Sequence, residues 1–351
     1  GNLFYQSIIG NSNHKFRTGA NFQADNYDEL FTGAPFLRNE TVAGAFFEYT
    51  GYYGRSTLVT GLRGDINNLF GSFLTPRVHY KFQWTDKFSI RASGGRGQRT
   101  ANVIAENFAY LVSARELRFG NSQAWGSIAP AYGLSPEIAW NGGTSLQFDF
   151  RIGKRDGTLA ADAYYTWFER QVVVDLDGDA QEVHFYNVEG KTSSTSLQLD
   201  YYQEIGNRFN LKLAYRFTDA RVFYNSTGEI ERPFTAMHRA LGNLSFHSRK
   251  DKWMADLTVN YIGSKRLPST AGNPVEYRMD DRSPDYALVN AQVTRNFKKV
   301  AVYIGGENLT NVIQSRQIIS PENPHSGFFD ASFIWGPTFG AMVYTGVRWT
   351  F

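Results

Sequence analysis

The 351-residue chain contains no cysteine. A disulfide framework, a thiol nucleophile and a thiolate metal site are therefore excluded. Histidine is scarce. His14, His79, His184, His238, His247 and His325 are dispersed, with neither His-x-x-x-His nor HExxH spacing. No metal and no cofactor is expected. No window of about 18 apolar residues occurs, so no helix is expected to cross a membrane. An excess of one charge is also missing. The 36 basic and 33 acidic side chains leave +3, too little to steer the chain toward nucleic acid, and no such partner is expected. The opening GNLFYQSIIG lacks the basic start and apolar core of a signal peptide. A targeting signal, if the protein is exported, was removed or lay upstream.

Aromatics are abundant: 28 Phe, 20 Tyr and 7 Trp make 16% of the residues. That much apolar surface can offset the entropy cost of ordering a chain, which excludes disorder, although the mean hydropathy is only −0.39. The apolar residues alternate. Trp253, Ala255, Leu257, Val259 and Tyr261 interleave with Met254, Asp256, Thr258 and Asn260. Phe209, Leu211, Leu213, Tyr215 and Phe217 interleave with Asn210, Lys212, Ala214 and Arg216. Period two is the strand signature. About fifteen such runs are expected: 2–9, 14–24, 41–52, 57–67, 75–85, 87–98, 143–153, 157–175, 186–205, 207–224, 238–248, 252–263, 285–297, 299–308 and 338–351.

Many runs reach the roughly 9–11 residues of a membrane-spanning strand, against roughly 5–6 in soluble domains. Their connections alternate in length. Short ones read GNSNH (10–14), GYYGRS (51–56), TDK (85–87), GKRDG (153–157), IGNR (205–208), SRKDK (248–252) and NFKK (296–299). Long ones fall at 25–40, 99–142, 176–185, 225–237, 264–284 and 309–337, with a brief one at 68–74. Short turns on one rim and long loops on the other describe a bacterial outer-membrane barrel. Aromatics at strand ends, such as Tyr52, Tyr53, Trp84, Trp167, Trp253 and Trp349, fit an interfacial girdle. Asp149, Arg151, Asp162, Asp200, Lys212, Arg216, Asp256 and Arg348 fall on the opposite, polar face and would line a lumen. The expected fold class is all-β, an antiparallel transmembrane β-barrel.

Several local motifs fail on spacing. In DLDGDAQE (175–182) Gly178 stands fourth after Asp175, whereas a calcium-binding EF-hand loop needs glycine at the sixth position. A solvated turn is the main reading there, and a loose calcium site at Asp175, Asp177 and Asp179 the alternative. The Gly-Lys-Thr at 190–192 lacks the earlier glycine of a phosphate loop, since position 185 is Phe. No GxSxG elbow is present and no catalytic step is expected. Ligand recognition is expected from the long loops and upper lumen. Arginines beside aromatic faces suit sugars, siderophores or tetrapyrroles. The candidates are Arg96, Arg99, Arg115, Arg118, Trp125, Tyr132, Arg316, Phe328, Phe329 and Trp335. For Phe328, Phe329 and Trp335, packing the loop together is the competing role.

The segments GGENLTNVIQSRQ (305–317) and FFDASFIWGPTFGAMVYTGVRWTF (328–351) resemble the end of TonB-dependent outer-membrane receptors, in a form most like the Bacteroidota group. Glu307, Asn308, Leu309, Thr310 and Asn311 match the family's Asn-Leu-Thr/Phe-Asp-Asn-type segment, and Val343 to Phe351 its terminal amphipathic strand. LSPEIAWNGGTSLQFDF (134–150) is similar to the family's Leu-x-Pro-Glu segment. The resemblance implies that residues 1–351 are the C-terminal portion of a receptor barrel, about fifteen of 22 strands. It implies a whole protein that imports a large scarce solute: an iron–siderophore, cobalamin, haem or glycan. Nothing resembles the family's plug domain or TonB-contacting box. The implied partners are outer-membrane lipid, the missing plug and strands of the same receptor, and TonB only through the absent N-terminal region. On the residues alone, two readings stay open: a small complete outer-membrane porin, and a soluble all-β glycan binder.

Overall fold

A computed structural model describes residues 1–31, 34–120 and 130–351. Seventeen strands are present among them. They are β1 Asn2–Ile9, β2 Asn11–Phe31, β3 Ala34–Tyr53, β4 Ser56–Asn67, β5 Gly71–Thr85, β6 Phe88–Arg99, β7 Glu116–Phe119, β8 Glu137–Ile152 and β9 Arg155–Asp175. There follow β10 Glu182–Ile205, β11 Phe209–Tyr224, β12 Gly228–Glu231, β13 His238–His247, β14 Trp253–Ile262, β15 Tyr286–Asn296, β16 Val300–Glu307 and β17 Met342–Trp349. All fifteen expected runs correspond to strands. The two extra strands, β7 and β12, lie inside expected loops and are four residues each. Four residues are too few to show an alternation. A further correction concerns 25–40. It is largely not a loop, because β2 and β3 stay paired from Asp25↔Glu40 up to Phe31↔Ala34.

Contacts divide the chain into two compact units. The first holds 1–145, 164–195 and 221–230. In it β1 to β6 form successive antiparallel hairpins. A short parallel ladder joins β7 to β10, Glu116↔Glu182 through Phe119↔Phe185. The registers align Thr18, Phe47, Leu62 and Pro76 on one face, and Arg17, Glu48, Gly61 and Arg77 on the other. The apolar face is open: Phe47, Leu62, Leu74, Val78 and Tyr80 are all exposed.

The second unit holds 146–163, 196–220 and 231–351. β11, β13, β14, β15, β16 and β17 follow one another in antiparallel ladders. Their registers place Leu211, Leu244, Leu257 and Ala291 across one face, with Lys212, Asn243, Thr258 and Asn290 across the other. The apolar face is again the exposed one, as Leu213, Leu257, Val259, Val302 and Ile304 show.

The arrangement is inverted relative to a water-soluble sandwich. Among the described residues, no buried apolar side chain comes from 1–100 or 237–266. Buried apolar clusters instead gather at the long-loop ends of β9, β10 and β11 and in the loops after β14 and β16. One joins Val173, Tyr186, Val188, Val222 and Tyr224 in the first unit. Another joins Leu267, Ile319, Phe333 and Trp335 in the second. Contiguous exposed apolar surface on this scale marks contact with an apolar medium. Antiparallel strands suit it because each backbone group is paired within the sheet.

Candidate functional site

In the first unit, the polar face of β2 to β6 encloses a cavity of about 700 Å³. Its lining includes Arg17, Arg38, Arg63, Arg77, Arg96 and Arg99 against Asp25, Glu40 and Asp65. Four carboxylates beyond the lining, Glu48, Glu169, Glu106 and Glu137, also pair with these arginines. The side chains are held in place by one another. Arg63 donates through Nε to Asp65 at 2.8 Å and through Nη2 to Asn21 at 2.7 Å. Arg77 pairs with Glu48. Glu40, itself buried, accepts from Asn67 at 2.7 Å and from Thr100 at 2.6 Å. Arg38 stacks over the Tyr27 ring at 3.8 Å, and Arg17 over Phe4 at 4.1 Å. Such a wall, pre-ordered and rich in guanidinium, can receive carboxylate, catecholate or phosphate oxygens in bidentate geometry. A larger cavity, about 900 Å³, opens on the apolar face between Phe47, Leu62, Val78, Trp140, Tyr165 and Trp167. It belongs to the surface that meets the apolar medium.

The expected site residues are distributed through the two units. In the first, Arg96 pairs with Glu169 at 3.1 Å and donates to the Leu74 carbonyl. Arg99 pairs with Glu106 at 2.7 Å and with Glu137 at 2.6 Å. Both arginines line the polar cavity. Arg115 is buried and donates to the Leu176 and Glu182 carbonyls at 3.4 Å. Arg118 pairs with Glu182 at 2.6 Å. Tyr132 is buried in an aromatic column, 5.1 Å from Phe119 and 5.0 Å from Phe36, and its hydroxyl donates to Glu29. Burial first, and the Glu29 hydrogen bond second, push its phenol well above the ordinary range. Trp125 lies outside the described residues.

In the second unit, Arg316 ties down its own loop by donating to the Arg278 carbonyl at 2.8 Å and the Glu276 carbonyl at 2.6 Å. Phe328 stacks on Tyr277 at 5.2 Å. Phe329 is half-buried, and its backbone N–H donates to the Ser326 carbonyl. Trp335 is buried with Phe333 and Ile319. Its backbone N–H donates to Gln314 Oε1, and its carbonyl accepts from Lys265. Burial, and secondarily Arg239, lower the Lys265 ammonium below its ordinary value.

Arg17, Arg38, Arg63 and Arg77 were not among the expected site residues. Alternation alone would put Arg63 and Arg77 on a polar face, but only the register brings them beside Glu48 and Asn21. The loop at 175–182 is a turn solvated only at its tip, Gly178 and Asp179. Asp175 is buried, accepting from the Tyr186 and Ser226 hydroxyls and from the backbone N–H of Asp177 and Gly178. Among the described residues no group of three or more His, Asp or Glu side chains is placed to hold a metal.

Residues 1–309 match the family model described as TonB dependent receptor-like, beta-barrel. No curated protein matches the sequence. Solved structures do. A mutant of the ferric enterobactin receptor PfeA from Pseudomonas aeruginosa is 14% identical, with a TM-score of 0.70 over 99% of this chain and 52% of that one. The siderophore receptor PirA from Acinetobacter baumannii is 12% identical, with a TM-score of 0.69 over 100% and 54%. The FrpB iron transporter from Neisseria meningitidis is 12% identical, with a TM-score of 0.66 over 99% and 54%. At these identities the likeness is one of fold. The chain spans about half the length of each of these proteins.

Proposed function

This chain belongs to the TonB-dependent receptor-like β-barrel family, and from that premise we propose that it is the C-terminal portion of an outer-membrane receptor for an anionic iron chelate. The arginine-rich polar cavity carries the reading: six guanidinium groups line one space, five of them oriented by carboxylates. A neutral glycan or a passive stream of small solutes has no need of so many fixed guanidinium donors. The solved relatives named for a ferric siderophore, a siderophore and iron support the same class. Haem and cobalamin are the next solutes in line. The Bacteroidota-like form of the segment 305–317 is part of the proposal.

The chain's role in this reading is to bind and orient the solute, not to transform it. Energised import would need the plug and a TonB contact in the rest of the receptor. That rest would also supply the remaining strands of a 22-stranded barrel, about half of the relatives' length being unaccounted for by this chain. The exposed apolar faces would lie in the outer membrane.

The test is a binding titration on the chain folded in detergent micelles, read by quenching of its tryptophans. A ferric tris-catecholate, a ferric hydroxamate, cobalamin, haem and a neutral oligosaccharide are compared. Saturable quenching by an anionic ferric chelate is expected. It should weaken about tenfold or more in Arg63→Gln with Arg77→Gln, since a charged hydrogen bond is worth about 1.5–3 kcal/mol. Saturation by the oligosaccharide alone, or by none of the five, would sink the proposal.

A further inference from the structure

The turns joining β13 to β14 and β15 to β16 concentrate positive charge. Segments 248–252 and 295–299 hold Arg249, Lys250, Lys252, Arg295, Lys298 and Lys299 against a single carboxylate, Asp251. Their net charge exceeds the +3 of the whole chain. All but Arg295 are exposed. The two turns are physically one surface. The Asn296 backbone N–H donates to the Lys252 carbonyl at 2.8 Å, and its side-chain amide to the Asp251 carbonyl at 2.7 Å. The Asp251 carboxylate faces His247, 3.3 Å away. The Thr350 N–H donates to the Lys299 carbonyl, so the end of β17 joins the same rim.

Arg295 fixes where this rim lies. The β14–β15 register pairs it with Trp253, on the apolar face. Its guanidinium sits 4.7 Å from the Trp253 ring and 5.5 Å from the Phe297 ring. An outward-facing arginine is costly in hydrocarbon and nearly free at the interface. Trp253, Phe297 and Trp349 are exposed around it, as in an interfacial aromatic belt. The level of Arg295 is therefore the level of lipid headgroups, with the four lysines and Arg249 immediately beyond.

We infer that this rim binds the phosphate headgroups of anionic phospholipid in the leaflet that faces the short turns. The occupant follows from two features acting together. Charge complementarity asks for anions, and the continuous apolar face above the rim asks for acyl chains on the same molecule. A soluble acidic polypeptide would satisfy only the first. The inference rests on the apolar face being lipid-facing, and not on the identity of any imported solute.

The experiment reconstitutes the full chain into vesicles of phosphatidylcholine containing either phosphatidylglycerol or further phosphatidylcholine brominated on its acyl chains, and reads tryptophan quenching. Quenching by brominated phosphatidylcholine alone reports insertion, so failure of the membrane reading is seen separately. Brominated phosphatidylglycerol is expected to quench more at equal mole fraction. The excess should shrink in Trp253→Phe, which leaves Trp349 as the rim's reporter, and shrink at high salt. Each charge removed near an anionic surface weakens association about fivefold. The variant with Lys250, Lys252, Lys298 and Lys299 all changed to Gln should therefore lose most of the excess. The same four positions changed to Arg should keep the excess, which separates loss of charge from loss of folding. Equal quenching of the wild type by both lipids overturns the inference. So does an excess undiminished in the four-Gln variant, or displacement of phosphatidylglycerol by polyglutamate.

Discussion

Asn308 shows why one residue type occupies one place. Its φ is +50°, a left-handed conformation that asparagine tolerates better than most residues. Its amide donates to the Val312 carbonyl at 2.8 Å and the Phe339 carbonyl at 3.0 Å, while its side-chain oxygen accepts from the Val312 N–H. Asn311, at φ +52°, accepts from the Ala341 N–H. Thr310 donates to the Ala287 carbonyl. The segment that carried the family resemblance is thus the staple that turns the chain out of β16. Asn308→Ala should cost about 2–3 kcal/mol, the desolvation of the carbonyls it leaves unpaired. Asn308→Gly, which keeps the backbone relaxed, should cost less. Urea unfolding in micelles checks the order; a smaller cost for alanine than for glycine would contradict it. Tyr132→Phe removes only the bond to Glu29 and should cost about 1 kcal/mol, whereas Tyr132→Ala also empties the aromatic column, at about 3–5 kcal/mol. Faster amide exchange over 132–134, graded in that order, is the expected signature.

At the scale of the strand, alternation decides everything, because a shift of one residue exchanges the two faces. On β14, Val259 belongs to the exposed apolar face and Asn260 to the polar one. Val259→Arg should therefore destabilise the protein by about 2–4 kcal/mol in a bilayer, while Asn260→Arg should change little. Folding titrations in vesicles read the difference, and equal effects would contradict the facing. The β16–β17 pair adds a packing constraint on the polar face. Tyr303 lies opposite Gly346, and Gly305 opposite Tyr344. A Cβ on Gly305 would stand 2.6 Å from the Tyr344 ring. Each tyrosine covers the glycine across from it, the aromatic rescue that pins register in sheets. Gly305→Val should overpack this ladder by about 1–3 kcal/mol, and pairing it with Tyr344→Ala should recover part of the loss.

For the molecule as a whole, the two faces of the strands make opposite demands on solvent. Among the described residues, 1–100 and 237–266 bury no apolar side chain, so the strands there are not held by a hydrophobic core of their own. Transfer from detergent to plain buffer should precipitate the chain or drive it to large assemblies, visible as loss of the monomer in size-exclusion chromatography. A stable monomer in water would overturn the lipid-facing assignment. Within the lipid-facing strands the polar networks do the positioning. The resemblance segment Pro136–Glu137 illustrates it: Glu137, buried, receives Arg99 at 2.6 Å and the Val172 N–H at 3.2 Å, so one carboxylate joins β6, β8 and β9 in the first unit.

What the sequence determined by itself is whatever depends on local period. Fifteen strands, the identity of their polar and apolar faces and the short turns were legible because each follows from neighbours within a few residues. The same locality explains what was missed. β7 and β12 are too short to display a period, and β7 forms a parallel ladder with β10, more than sixty residues away. The upper parts of β2 and β3 read as a loop because their residues do not alternate cleanly, yet pairing between the two strands carries them to Phe31 and Ala34. The arginine cavity was legible only at Arg96 and Arg99. Arg17, Arg38, Arg63 and Arg77 come from four strands, and no spacing along the chain reports that they face one space. Tertiary structure alone decided that, because register across several hydrogen-bonded ladders, and not proximity in sequence, sets which charges meet.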